Sequence, residues 1–406
     1  MGKKKKKTTQ DPRLKRPNIC LCMIVKNESK DIERCLESVV PYIDYWVISD
    51  TGSEDNTKEL IQKFMDDRGI PGELHDHEWV DFSTNRNYAL EIAKTKADFV
   101  WNMDADDNYV PPKDNAKNPF WCMTTEHSKD FDLFHFQYLI NDVTMFSRAG
   151  MIRSKPTGRK IHYEGVLHEA MMYEGGDMVP PSKRLNMSPY GHIVARSSPL
   201  KRRATEKEKY LHDAEVLLKG LEKEPENTRY MFYLGQSYHL AHEYEKAQEW
   251  YRKRAEYKDV GNRDEIFLCY YEISKLNLAL KKPDEVFIDS CIKAYEEQPS
   301  RIEPIYNAMT FLLNRGRMGY ALALGWLAQK TVDPKAHIAK IELDVYNWKF
   351  PCQFARAMFF CNQKEAAIES LVRLLDRYKE DPNVNKQDVV EVETVLLTLQ
   401  SKMEDE

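Results

Sequence analysis

Two patterns of apolar residues divide this chain. Asn18-Ile19-Cys20-Leu21-Cys22-Met23-Ile24-Val25 is an almost unbroken apolar run, the mark of a strand covered on both faces. It breaks at Lys26-Asn27-Glu28, and from about Lys30 the residues Ile32, Leu36, Val39 and Val40 recur at helical spacing. Tyr45 to Ser49 predicts a second strand ending at Asp50. In the polar turn from Asp50 to Thr57, Ser53 or Asp55 is placed to cap a helix through Leu60, Ile61 and Phe64. A shorter third strand is expected over Glu73 to Trp79, then a helix from Ser83 to Lys94 bearing Asn85, Arg86 and Asn87. The strand Phe99-Val100-Trp101-Asn102-Met103 comes next and stops abruptly at Asp104-Ala105-Asp106-Asp107. Strand–helix alternation of this kind predicts an α/β domain with a mostly parallel sheet and helices on both faces. Further on, Phe131 to Tyr138 alternates with period two, as a half-buried strand does, and Met145 to Ile152 predicts another.

After Ala195 the period becomes helical throughout. A charged stretch from Lys201 opens a helix through Tyr210, Ala214, Leu217, Leu218 and Leu221, stopped by Pro225. Leu234-Gly235-x-x-Tyr238, followed by Ala247 and Tyr251, fits the tetratricopeptide template, in which small residues let paired helices approach. Ala321 with Gly325 and Ala328, and Phe354 with Met358, Ala367 and Leu371, are weaker copies. Pro225, Pro299, Pro334 and Pro382 punctuate helix ends, and the period drifts between Tyr271 and Ala294. The expected organisation is a basic disordered tail (1–17), an α/β domain (18–195) and an all-α helical solenoid (196–406) closed by a cap helix near Val389 to Met403. The concave face of such a solenoid can hold a protein partner, and Tyr230, Tyr233, Tyr238, His239, Tyr270 and Tyr271 divide between its core and that face.

With 406 residues the chain exceeds one ordinary core, in agreement with two domains. A net charge of −5 leaves no electrostatic footprint for nucleic acid. No run approaches the roughly 18 apolar residues of a membrane span. Lys3 to Lys7 lacks the apolar segment of a signal peptide, and Lys6 stands where a myristoylation signal wants Ser or Thr. Eight cysteines without metal-type spacing point to a reducing, cytoplasmic setting.

The candidate chemistry sits at strand ends. In a parallel sheet Asn27, Glu28, Asp50, Asp104 and Asp106 would share one rim, where open α/β sheets bind ligands. In extended backbone Asp104 and Asp106 project to the same side and repel unless a cation lies between them. That predicts Mg²⁺ or Mn²⁺ on hard oxygen ligands, shared with a diphosphate; the plain alternative is a polar turn closing a strand. No G-x-G-x-x-G follows the first strand and no G-x-x-x-x-G-K-[ST] occurs, which argues against a dinucleotide fold or a P-loop.

Cys22-Met23-Ile24-Val25-Lys26-Asn27-Glu28, Ser49-Asp50-Thr51-Gly52-Ser53-Glu54-Asp55, Phe82-Ser83-x-x-Arg86-Asn87 and Asp104-Ala105-Asp106-Asp107 together resemble the motifs of family 2 glycosyltransferases, in order and spacing. The resemblance covers about residues 18–195 and implies the GT-A fold. By it, Asp50 meets the base, Asn27 and Glu28 lie beside the nucleoside, Arg86 lies near base and phosphates, and Asp104 and Asp106 serve ribose, metal and diphosphate. A Gly followed by His-Glu in Gly165-Val166-Leu167-His168-Glu169 falls where the acceptor-side acid belongs. Glu169 is the candidate general base, with Glu164 and Asp142 behind it. His192 matches a downstream metal-binding His, with His168 as its rival. The pairing with trailing tetratricopeptide-like repeats is similar to that of the sublancin S-glycosyltransferase group. The implied activity is metal-dependent, inverting transfer from a nucleotide sugar, with UDP the expected nucleotide, to a hydroxyl or thiol of a glycan, protein or lipid-linked acceptor. The competing readings are a catalytically silent sugar-nucleotide-binding domain on a repeat scaffold and a nucleotidyltransferase. The latter should carry a Gly-rich basic loop where this chain has Lys26-Asn27-Glu28-Ser29.

Overall fold

A computed structural model describes residues 17–112, 120, 123, 129–140, 144–195, 206–329, 340–380 and 384–404. The basic start, Asp142, Lys201, Pro334 and Pro382 lie outside the described residues. Contacts group the chain into two units, Met1–Asp142 with Ser147–Arg203, and Val143–Phe146 with Ala204–Glu406.

In the first unit the chain runs β1 (Ile19–Val25), α1 (Ile32–Val39), β2 (Tyr45–Asp50), α2 (Thr57–Arg68), β3 (Gly72–Asp76), α3 (Phe82–Ala93) and β4 (Phe99–Asn102). It continues through β5 (Asp107–Val110), β6 (Leu133–Ile140), β7 (Thr144–Arg153), β8 (Ile161–Glu164), β9 (Ala170–Tyr173), β10 (Arg184–Asn186) and β11 (His192–Ala195). The sheet order is β3-β2-β1-β4-β7-β6-β11-β5, with β10 paired to β6, while β8 and β9 form a separate hairpin. The continuous apolar strands β1, β2 and β4 lie side by side and parallel, buried nearly throughout, because only a strand between two covered faces needs no polar side. Beyond β4 the sheet turns mixed: β7 is antiparallel to β4, and β11 is parallel to β6 but antiparallel to β5. The alternating burial of β6 matches its period-two sequence.

Local signals placed most elements and missed some ends. Asp81 accepts the Thr84 N–H at 2.7 Å, so α3 starts one residue before Ser83. Ser53 does not cap α2; its Oγ accepts the Asn27 N–H, while Asp55 Oδ1 accepts the Thr57 N–H at 3.1 Å. β3 stops at Asp76, three residues short of Trp79.

The second unit is a tetratricopeptide-like helical array: α4 (Glu206–Lys223), α5 (Thr228–Leu240), α6 (Tyr244–Glu256), α7 (Arg263–Ala279), α8 (Asp284–Glu297), α9 (Glu303–Asn314), α10 (Met318–Ala328), α11 (Phe350–Phe360), α12 (Lys364–Glu380) and α13 (Lys386–Glu404). Short loops make the consecutive helices from α4 to α10 neighbours. Tyr271 to Ala294, where the period drifts, still forms the regular pair α7–α8, with Tyr271, Ile273, Leu276, Phe287, Cys291 and Ala294 buried. Tyr230 and Tyr271 are core residues, whereas Tyr233, Tyr238 and Tyr270 are partly buried against the α5–α7 cluster. Gly235 of the template matters through volume, since a Cβ there would stand 2.6 Å from the Tyr251 ring. Among the described residues no helix is long and apolar enough to cross a membrane.

Gly235→Ala should therefore overpack the α5–α6 contact and destabilise the chain by about 1–3 kcal/mol. Gly319→Ala, whose new methyl would meet nothing within 4 Å, should leave stability unchanged or raise it slightly. Urea denaturation followed by far-UV circular dichroism checks both; equal midpoints for the two variants would refute the packing role.

Candidate functional site

Parallel pairing brings three strand ends to one rim. Asp50, the last residue of β2, pairs in register with Val25 of β1, and Asn102 at the end of β4 pairs with Cys22. With β1 between them, Asp50 and the residues after β4 lie about two strand spacings, roughly 10 Å, apart. Asp50 is 1% exposed. Its Oδ1 accepts the Gly52 and Ser53 N–H groups at 2.9 and 2.7 Å, and its buried Oδ2 has no partner among the described residues. Gly52 has φ +101°, a conformation side chains resist, and a Cβ there would lie 3.9 Å from the Lys26 ammonium.

Asn27 and Glu28 build this rim. Asn27 sits in the left-handed region at φ 56°, donates its N–H to Ser53 Oγ at 2.9 Å and accepts the Glu54 N–H on Oδ1 at 2.8 Å. The Glu28 N–H donates to Thr57 Oγ1 at 2.7 Å, and its carbonyl accepts from Asp31 and Ile32 at the start of α1. These bonds tie the β1 loop to the β2 loop.

A cluster of two carboxylates and two guanidinium groups occupies the end of β4. Arg86 Nη2 donates to Asp104 Oδ1 at 2.6 Å and Arg86 Nε to Glu169 Oε1 at 2.5 Å. Arg148 Nη1 donates to Asp104 Oδ2 at 2.7 Å, and its Nη2 lies 4.0 Å from Glu169 Oε1. The pairs involving Arg86 and Glu169 are nearly buried, at 8% side-chain exposure each, whereas Arg148 is 33% exposed. Burial opposes ionisation of Asp104, but Arg148 and Arg86 outweigh it and hold the carboxyl far below its ordinary value. Arg86 lies over the Tyr163 ring and Arg148 over the Tyr138 ring, each at 5.5 Å.

Two local devices assemble the cluster. Asn87 exchanges two hydrogen bonds with the backbone of Tyr163, fixing α3 against β8 and so Arg86 against the turn that leaves β8. The β8–β9 hairpin then doubles back through Gly165 at φ 112° and His168 at φ 54°, with Glu164 opposite Ala170, and delivers Glu169. Glu164 itself pairs with His162 at 2.9 Å. Sequence reading missed Arg148. The antiparallel register pairs Phe99 with Arg153 and Trp101 with Met151, and Arg148, three residues before Met151 on β7, meets the Asp104 carboxylate just past the end of β4. The strand was legible, but its partner was not.

Asp104 to Asp107 is not extended. Asp107 N–H donates to the Asp104 carbonyl at 3.1 Å, closing a turn between β4 and β5, so strand alternation does not set where Asp106 points. Arg34 Nη2 donates to the Asp106 carbonyl at 2.8 Å. Asp107 is buried with Oδ2 unpartnered among the described residues. Its carboxyl is pushed up to about 8 by burial and by the charges of Asp104 and Asp106, against the pull of Arg148. His192 opens β11 opposite Val110, whereas Asp107 lies opposite Ala195 at the other end of the pairing, about 10 Å along the strand. Among the described residues no group of three or more His, Cys, Asp or Glu side chains is arranged to hold a metal ion.

Residues 20–114 match the family model described as glycosyl transferase family 2. The glycosyltransferase SunS of Bacillus subtilis is 26% identical over 237 residues, 58% of this chain and 53% of its own. The chain thus spans about half the length of that curated relative. A tetratricopeptide-repeat-containing protein of Synechococcus elongatus is 34% identical over 93 residues, 23% of this chain and 21% of its own. The crystal structure of MamA overlaps 43% of this chain and 91% of its own at 13% identity and a TM-score of 0.33. The rim built by β1, β2 and β4 falls within the matched span, and the amino-terminal part of this chain is a glycosyl transferase family 2 domain, followed by tetratricopeptide-like helical repeats.

Proposed function

We propose that this chain is a metal-dependent, inverting glycosyltransferase that moves a sugar from a nucleotide diphosphate sugar, UDP-linked in the first instance, to an acceptor hydroxyl or thiol. One observation carries the reading. A buried carboxylate with an open oxygen, Asp50, shares a strand-end rim with Asp104, both inside the span that matches the family model. Asp50 Oδ2 suits an N–H donor of the base. A domain that had lost catalysis would have no need to keep this charge cluster assembled, and the Asn27 loop is already committed to Ser53 and Glu54 instead of forming a phosphate-cradling Gly-rich loop.

The donor set fits a divalent cation. Mg²⁺ and Mn²⁺ are commonly held by one or two carboxylates completed by substrate phosphates, so a cage of three protein ligands is not required. The orphaned Oδ2 of Asp107 adds a free oxygen in the same turn as Asp104 and Asp106, the two residues that would hold the ion. His192, set far along β11, is left out of this ligand set. Such an ion, when bound, neutralises charge on the departing diphosphate.

The remaining work falls to the chain. The bond from the anomeric carbon to the diphosphate oxygen breaks, with its electron pair leaving on the diphosphate. The acceptor oxygen or sulfur bonds to the opposite face, and Glu169 takes its proton. Arg86 orients that carboxylate through the bond to Oε1. The helical array would recognise the acceptor or a protein partner. The described cysteines are free thiols, which suits a reducing, cytoplasmic compartment.

A thermal-shift panel of nucleotide sugars with and without Mn²⁺ tests the reading, since a cognate donor raises the melting temperature. Asp106→Ala should abolish transfer and erase the Mn²⁺-dependent part of that shift; full turnover in excess chelator would remove the metal. Glu169→Gln, which still accepts from Arg86 but cannot take a proton, should lower kcat by about 10²–10⁴-fold with donor affinity nearly unchanged. Normal kcat in this variant clears Glu169. For Asp107, the unfolded chain ionises near pH 4 and the folded chain near 8, so folding takes up a proton between them. Stability should therefore fall as pH rises through that window, by at most about 1.4 kcal/mol per unit, and Asp107→Asn should flatten the slope. Denaturation midpoints at several pH values in chelator read this directly, and parallel profiles for the two proteins would contradict it.

A further inference from the structure

The two arginines of the cluster are not equivalent. Arg86 is 8% exposed and is spent on both carboxylates, through Nε to Glu169 and Nη2 to Asp104. Arg148 is 33% exposed, and among the described residues its single hydrogen bond runs from Nη1 to Asp104 Oδ2. A guanidinium carries five N–H donors in a planar fork suited to phosphate oxygens. Arg148 is therefore partly accessible and keeps donors that no hydrogen bond among the described residues uses. Arg148 is carried by β7, which pairs antiparallel to β4 as far as Trp101 with Met151, and the Tyr138 ring lies 5.5 Å from its guanidinium.

Charge balance leads to the same residue. Two carboxylates and two guanidinium groups cancel within this cluster. A diphosphate brings more negative charge and needs a cation that can turn toward it without leaving a buried carboxylate bare. If Arg86 turned away, Glu169, itself 8% exposed, would lose its close partner, a loss that is costly for a buried charge. If Arg148 turns, Asp104 keeps Arg86 at 2.6 Å.

Resting on the glycosyl-transfer reading above, we propose that Arg148, and not Arg86, is the side chain that grips the donor's diphosphate, with Asp104 holding it in place until the donor arrives. Arg86 is then a positioning residue for Asp104 and Glu169.

The test compares diphosphates with bare nucleosides on the full chain. UDP, GDP and ADP are titrated by calorimetry, and uridine, guanosine and adenosine by ligand-observed NMR, against the wild type, Arg148→Ala and Arg148→Gln. For whichever diphosphate binds the wild type, both variants should lose roughly tenfold or more in affinity, as expected for a charge-assisted contact, while the matching nucleoside binds all three proteins alike. Diphosphate affinity within twofold of wild type overturns the proposal. So does an equal loss for diphosphate and nucleoside, which would make Arg148 a structural support. If Arg148→Ala lacks a cooperative melt, Arg148→Gln, which keeps length and a donor but no charge, decides by the same criteria. A wild type that binds none of the three diphosphates sinks the glycosyl-transfer reading, and this inference with it.

Discussion

The carboxylate of Asp104 organises the α/β half of this molecule, because it is a partly buried charge that two arginines from distant segments reach. Arg86 arrives on α3 and Arg148 on β7, each bonded to a different carboxylate oxygen. Removing one partner of the nearly buried Arg86–Glu169 pair would cost several kcal/mol, against the near-zero value of an exposed pair such as Arg68 with Glu37. The site geometry and the packing of α3, β7 and the β8–β9 hairpin are therefore one problem with one solution. Glu169 joins because Arg86 has a second donor to offer, and the exchange of bonds between Asn87 and Tyr163 keeps that donor in reach.

Around this cluster the sheet acts as a ruler. Parallel β2, β1 and β4 end together, so Asp50 and Asp104 are held apart by strand spacing alone. Behind the rim, Trp101 stacks on Phe136 at 5.7 Å and 12°, with Tyr109 and Phe120 edge-on, a rigid apolar support beneath the charged turn. Rigid backing matters because a charged cluster on a soft base would relax toward water and lose the low dielectric that strengthens its pairs.

The helical unit solves a different problem with the same tools. Close approach of α5 and α6 depends on Gly235 beneath Tyr251, and Gly325 lies likewise beneath the Phe354 ring. Where α6 passes to α7, Arg254 is fully buried, bonded to Glu265 at 3.0 Å and to the carbonyls of Tyr257, Val260 and Asn262. That one guanidinium satisfies a loop that would otherwise bury bare carbonyls.

Sequence alone determined what depends on neighbours along the chain. The unbroken apolar runs marked β1, β2 and β4, and the order of motifs placed Asn27, Asp50 and Asp104 on one rim, because a parallel sheet leaves strand ends no other place to go. Gly235 and Tyr251 marked a helix pair for the same local reason. What it misjudged was set by pairing across distance. Strand alternation predicts that Asp104 and Asp106 project together, but the chain turns at Asp107 to pair β5 with β11. Two arginines from distant segments also meet the carboxylate of Asp104, and no local pattern announces that. Arg148 sits in an ordinary half-buried strand, and nothing near it in sequence announces a role. Only the pairing of β7 with β4 brings it within reach of Asp104, and such pairing is a tertiary choice, fixed by which faces are buried and not by the residues of one strand.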